Sequence, residues 1–258
     1  DVKKIVNFAK KKKIIIIEDN CEALGAKLDK KYLGTIGDFG TYSFFYSHQI
    51  TSGEGGMVVC NNKKDYEILL ALRSHGWSRG KNVYAKNAKK YPNLDPRYIF
   101  INSGFNLRPT DIQAAIGRSQ FKRLDFFKKT RTMNKNKIIN SLVKDKRWKG
   151  QFKFVKYSKR INPSYMVLPI LLDIKFLDKK KKFIKLIEEK GLETRPIISG
   201  SFVNQPSTKL YNLNPGNQKF NGAQKVQDQG FVIGLSTKKI DKKKIDFVTN
   251  VLFLIDSV

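Results

Sequence analysis

The sequence predicts an α/β chain built on an open sheet, and three observations carry that prediction. Four consecutive isoleucines, Ile14 to Ile17, follow a basic helical stretch and end at the acids Glu18 and Asp19, as in a strand buried on both faces of a parallel sheet. Thr41 to Ser47 is β-branched, aromatic and hydroxylic; it leads through His48 into a glycine-rich turn and a second apolar run, Met57 to Cys60. From Met166 onward, strand-like apolar runs alternate with helical spacings. Ligands of open α/β sheets bind at strand ends, so Asp19 and His48 are the first candidate site residues.

The elements follow in order. Asp1 to Lys13 places Ile5, Phe8 and Ala9 at helical spacing. Asn20 to Ala26 reads as a short helical segment, and Leu28 to Gly40 as turns with a short hairpin. Lys63 to Gly76 reads as a helix with apolar positions Ile68, Leu69 and Leu72, and His75 at its glycine end is structural. Trp77 to Arg97, polar and basic with two prolines, reads as a long loop. Thr110 or Asp111 caps a helix whose apolar face holds Ile112, Ala115, Ile116 and Leu124. Phe126 to Val143 continues as a long basic helix, and the domain boundary is placed near Arg131. Beyond it come a strand over Met166 to Asp173, a helix over Asp178 to Lys190, a strand over Phe231 to Ser236 and a terminal helix over Ile240 to Ile255.

Composition narrows the classes of function. No run approaches the roughly 18 apolar residues of a membrane span. The chain begins without methionine or a signal-like segment, so the expectation is an interior piece of something longer. Cys21 and Cys60 both lie beside apolar strand segments, which predicts a reduced, cytoplasmic protein. Two thiolates are too few for an ordinary four-cysteine iron–sulfur cluster, and two histidines give no zinc pattern, so no metal is expected. Lys and Arg number 51 against 22 acids, a net charge of +29 that raises the question of nucleic acid. Only 10 of those 51 are Arg, the preferred reader of phosphate and base edges, and the lysines are scattered in short runs. That distribution favours a solvated lysine-rich surface over a nucleic-acid site.

Three segments carry a family resemblance. Ser43-Phe-Phe-Tyr-Ser-His48, followed by Gly53-Glu-Gly-Gly56, resembles the cofactor segment of the DegT/DnrJ/EryC1 sugar aminotransferases. Those enzymes use pyridoxal 5'-phosphate (PLP) and typically read Ser-Phe, three residues, Lys-Asn-Ile, then Gly-Glu-Gly-Gly. His48 stands where they carry the lysine whose amine forms a Schiff base with the cofactor, which imidazole cannot do. A branch of the family, the 3-dehydratases of nucleotide-linked 4-keto-6-deoxy sugars, carries histidine there, and Glu18-Asp-Asn-Cys-Glu-Ala-Leu-Gly25 matches that branch as well. The third segment, Asn106 to Gly117, resembles the family's Asn-x-Arg-(Met/Pro)-x-x-(Ile/Met)-x-Ala-Ala-(Ile/Leu)-Gly.

The resemblance implies a PLP-dependent fold type I, aspartate-aminotransferase-like, with the N-terminal part of the large domain and its phosphate loop upstream of Asp1. Residues 1–130 would be the remainder of the large PLP-binding domain and 131–258 a small α+β C-terminal domain. It makes His48 the acid/base of a dehydratase and pairs Asp19 with the cofactor's pyridine nitrogen. It puts Glu22 where many family aminotransferases have glutamine, and makes Ser43 a phosphate-contacting hydroxyl. Asn106 would reach the cofactor phosphate of a neighbouring subunit, hence a homodimer; Arg108 lies near the same mouth, and Arg195 is a candidate substrate or cofactor contact. The implied cofactor is PLP or pyridoxamine 5'-phosphate, and the substrate a GDP- or CDP-linked sugar. Glutamate restores the amine, in deoxysugar and lipopolysaccharide O-antigen biosynthesis. The iron–sulfur branch carries a cysteine cluster in the region matching Trp77 to Arg97, which here has none, so no cluster is expected. An ordinary nucleotide-sugar aminotransferase stays open as an alternative, as does a non-catalytic basic binding protein or pseudoenzyme.

Overall fold

In a computed structural model of the chain, residues 2–79 and 81–258 are described. Contacts divide it into two units, Asp1–Asp125 with Lys159–Ser164, and Phe126–Ser158 with Tyr165–Val258. The first holds α1 (Val2–Lys11), β1 (Ile17–Asp19), β2 (Lys27–Leu28), β3 (Lys31–Tyr32), β4 (Phe39–Ser43), β5 (Gly56–Cys60), α2 (Lys63–Leu72), α3 (Lys81–Lys90) and α4 (Asp111–Phe121). There follow α5 (Leu124–Lys144), β6 (Phe152–Phe154), β7 (Ile161–Asn162), β8 (Val167–Leu172), α6 (Lys180–Glu189), β9 (Thr194–Arg195), α7 (Pro206–Leu210), α8 (Asn221–Gln229), β10 (Gly230–Gly234) and α9 (Lys242–Leu252). Of these, β7 belongs to the first unit. The division falls between Asp125 and Phe126, five residues before the boundary placed from sequence, and 159–164 crosses back because β7 pairs with β2.

The first unit is organised by the sheet β1-β4-β5. β1 runs parallel to β4 with Asp19 opposite Thr41, and β4 runs antiparallel to β5 with Ser43 opposite Gly56. Strand side chains alternate between faces, so Glu18 and Tyr42 turn to the buried side while Asp19, Thr41 and Ser43 share the other. A small antiparallel sheet, β3-β2-β7, completes the unit. Its ends are tied by Asp29, which pairs with Lys3 at 2.6 Å and with Arg160 at 2.6 Å.

Four expectations are corrected here. Only Ile17 of the four isoleucines joins β1, and Ile15 and Ile17 are 67% and 65% exposed, because β1 is an edge strand whose open face no described element of the unit covers. Asn20 to Ala26 forms consecutive turns and no helix: the Ala23 and Ala26 amides donate to the carbonyls of Asn20 and Ala23, and Gly25 takes φ +83°. Trp77 to Arg97 holds α3, apart from Gly80, which lies outside the described residues. Asn87 on α3 donates to the Ser78 hydroxyl at 2.9 Å and to the Val83 carbonyl, and the prolines fall after the helix. Finally, α4 ends at Phe121 and buries none of its side chains, while Leu124, expected on its face, is buried at the start of α5.

The second unit carries the antiparallel sheet β6-β8-β10-β9. Along β8, Leu168, Ile170 and Leu172 point inward at every second position and meet Phe231 and Ile233 of β10. Leu142 of α5, Phe183 and Ile187 of α6, and Leu252 of α9 close the other side of this core. Burying each such side chain stabilises by about 1.5–3 kcal/mol.

Candidate active site

Neighbouring strand residues face opposite ways, and the two acids of the Glu18-Asp19 pair therefore do different work. Glu18 is buried, and its carboxylate accepts from the amides of Gly34 at 2.8 Å and of Ile36 and Gly37 at 2.7 Å each. It fixes the loop between β3 and β4, where a Cβ on Gly40 would collide with the Gly34 carbonyl. Asp19 stands on the open face at the last position of β1. Its Oδ1 accepts from the Cys21 amide at 3.1 Å and the Thr41 hydroxyl at 3.4 Å. The thiol and then the amide of Cys21 hold the Asp19 carboxyl below its usual value, against a small opposing effect of burial. Asp19 is thus kept ionised on the same face as Ser43.

Strand β4 stops at Ser43 and does not continue to Ser47. Ser43 Oγ accepts from the Phe45 amide at 3.2 Å, and Phe44 exchanges backbone bonds with Gly55 at 2.8 Å and Ser52 at 2.9 Å. His48 therefore sits on a turn beyond the strand, its amide bonded to the Phe45 carbonyl at 3.1 Å and its ring edge-on to Phe45 at 5.6 Å. Its Nδ1 is buried and has no hydrogen-bond partner among the described residues, an orphan of the kind that folded proteins rarely tolerate without a purpose. Gln49, fully buried beside it, donates to the Glu22 carbonyl and, at 3.3 Å, to that of Ser164. This side chain ties the His48 turn to the turns that follow Asp19.

The Asn106 to Gly117 segment is tied to the glycine turn that follows His48. Thr110 caps α4 in a capping box with Gln113, whose Nε2 donates to the Glu54 carbonyl in the glycine turn at 3.1 Å. Just ahead of this helix Arg108 donates to Asn106 Oδ1 at 3.1 Å, both side chains exposed, and Asn106 is bridged to Ser74. The Glu22 side chain is exposed; its carbonyl is what the local structure uses. Arg195 lies on β9 of the second unit, exposed and paired with Glu193 at 2.9 Å. The first unit thus carries Asp19 and Ser43 on one face of its sheet, His48 on the turn beyond Ser43, and Asn106 and Arg108 just ahead of α4; sequence reading missed Cys21, Thr41, Gln49 and Gln113 as local supports. Strand parity was the available signal for Thr41, two residues before Ser43 and so on its face.

An ionised acid at a strand end, a serine hydroxyl whose hydrogen is left to be donated, and an orphaned imidazole nitrogen fit a PLP-type cofactor, with no lysine at position 48. Solved structures share the fold. Escherichia coli GDP-4-keto-6-deoxy-D-mannose-3-dehydratase with bound hydrated PLP superposes with a TM-score of 0.76 at 26% identity, over 97% of this chain and 63% of that one. A mutant of GDP-4-keto-6-deoxymannose-3-dehydratase with bound GDP-perosamine gives 0.81 at 27%, over 97% and 64%. The fold is that of the PLP-dependent, aminotransferase-like enzymes of fold type I. A sequence model of the DegT/DnrJ/EryC1/StrS aminotransferase family matches residues 1–253, and the chain belongs to that family. Curated relatives include the GDP-4-keto-6-deoxy-D-mannose 3-dehydratase of Escherichia coli O55:H7, 30% identical over 86% of this chain and 56% of its own length. A GDP-perosamine synthase of Escherichia coli O157:H7 is 34% identical over 77% of this chain and 48% of its own. The chain spans about half the length of the curated relatives it matches. No helix of the described residues is long and apolar enough to cross a membrane.

Proposed function

We propose that the protein carrying this chain is a PLP/pyridoxamine-phosphate-dependent 3-dehydratase of a GDP-linked 4-keto-6-deoxy sugar, serving deoxysugar and O-antigen biosynthesis. The observation that carries this is His48 in the slot of the family's lysine, on a fixed turn with its Nδ1 unpartnered. When bound, the cofactor supplies an amine for the sugar's C4 ketone and an electron sink beside C3. Asp19, held ionised, would pair with the ring nitrogen that makes the sink effective, while Ser43 and Asn106 would hold the phosphate, Asn106 across a homodimer interface. Glu22 would border the ring, and Arg108 would meet the nucleotide-sugar. His48 takes up the proton released next to the reacting centre and delivers one to the C3 hydroxyl oxygen as it leaves. Glutamate restores the consumed amine.

A second class, the GDP-perosamine synthases, is favoured by its 34% identity over much of the chain. Borohydride separates the two. The native protein with PLP should retain no covalently fixed cofactor after reduction, and His48→Lys should gain one. Cofactor fixed on a lysine of the native protein would place it with the aminotransferases.

A further inference from the structure

Among the titratable and nucleophilic side chains, Cys21 is unusual in lying beside a carboxylate that the proposed function uses. The Cys21 amide and the Thr41 hydroxyl both donate to Asp19 Oδ1, at 3.1 and 3.4 Å. Cys21 Sγ lies 3.9 Å from Thr41 Oγ1. A hydroxyl has one hydrogen, and a carboxylate only accepts. The Thr41 hydroxyl donates to Oδ1, and the thiol lies against both Thr41 and the Asp19 carboxylate. The three groups form one cluster around Oδ1. It spans β1, β4 and the turn after β1, and Asp19 and Thr41 are held opposite each other by the parallel register.

We propose that Cys21 and Thr41 are positioning residues that clasp Asp19 through Oδ1 and present Oδ2 to a cationic N–H donor, which on the function proposed above is the protonated ring nitrogen of the cofactor. The clasp requires Cys21 to remain a protonated thiol. The charged groups beside it, Asp19 and Glu22, both oppose thiolate formation, and the thiol is raised above its ordinary value, chiefly by Asp19. Cys21 is thereby a donor and no nucleophile.

The test uses the whole protein in a Cys60→Ser background, with iodoacetamide alkylation of Cys21 followed against pH by mass spectrometry. The reaction midpoint should lie above that of an ordinary thiol and fall back in Asp19→Asn. In parallel, Thr41→Val and Cys21→Ala should each weaken PLP binding about five- to tenfold, the scale of one hydrogen bond, and Cys21→Ser should restore it. An ordinary midpoint that Asp19→Asn leaves unmoved overturns the clasp. So does PLP affinity unchanged in both Thr41→Val and Cys21→Ala while Asp19→Asn loses it. Absence of PLP uptake by every protein, native included, overturns the functional reading instead, and the alkylation midpoint then decides the clasp alone.

Discussion

Gln113 Nε2 donates to the Glu54 carbonyl at 3.1 Å, fastening the first turn of α4 to the glycine turn that follows His48. The same side chain closes the capping box with Thr110, so one residue sets both the start of the helix and its place against the turn. Gln113→Glu keeps an acceptor for the cap but turns an oxygen toward the Glu54 carbonyl. It should cost about 0.5–1.5 kcal/mol in urea unfolding, the net value of one hydrogen bond, and should lower turnover more than stability alone explains. Stability and turnover both equal to native would show that the link does not position the site.

The candidate site residues stand out in the sequence because they lie in contiguous words. Asp19, Ser43, His48 and Asn106 are each embedded in a motif, and strand β1 does end at Asp19 as the isoleucine run suggested. What the sequence hid is relational. Gln49 and Gln113 act through carbonyls 27 and 59 residues away, and backbone acceptors carry no residue-type signal. The isoleucine run misled about burial because apolar content reports what a segment prefers to face, and the described chain leaves that face open. Ser47 looked like strand because aromatic and hydroxylic residues suit strands, yet Ser43 Oγ competes for the Phe45 amide and turns the chain early. In Trp77 to Arg97, a polar stretch was taken for a loop, although a helix needs only one anchored face, here through Asn87.

The Asp29 ion pairs predict an acid-side dependence. The Arg160 guanidinium, then the Lys3 ammonium, hold the Asp29 carboxyl well below the usual carboxylate range. A depressed folded-state value contributes stability above the unfolded value, roughly pH 4, and that contribution is lost as pH falls through the folded value. Asp29→Asn should therefore lower the thermal midpoint at pH 7, with the gap to native narrowing below about pH 4. A gap of constant size between pH 3 and pH 7 would contradict the assignment.

Helix α4 has no buried side chain, and Ile112 and Ile116, one turn apart, are 74% and 44% exposed. With Asn106 proposed to serve a neighbouring subunit, a second copy covering this helix accounts for both observations, and such interfaces are usually isologous. The whole protein should sediment as a dimer or a multiple of one. Ile112→Asp should shift it toward monomer and reduce turnover with it, and a native monomer with full turnover would refute the shared site.

His48 as the proton carrier of a dehydratase is tested most directly by what becomes of glutamate's nitrogen. The whole protein is supplied with PLP, glutamate and the GDP-linked 4-keto-6-deoxy sugar, without any reductase, and ammonia, 2-oxoglutarate and sugar product are measured together. Dehydration through a consumed amine predicts ammonia and 2-oxoglutarate in equal amounts beside a 3-deoxy sugar, with His48→Asn slowed by about two to four orders of magnitude, the scale of a positioned acid–base group. An amino sugar formed with 2-oxoglutarate but no ammonia, or native-rate dehydration by His48→Asn, would contradict it.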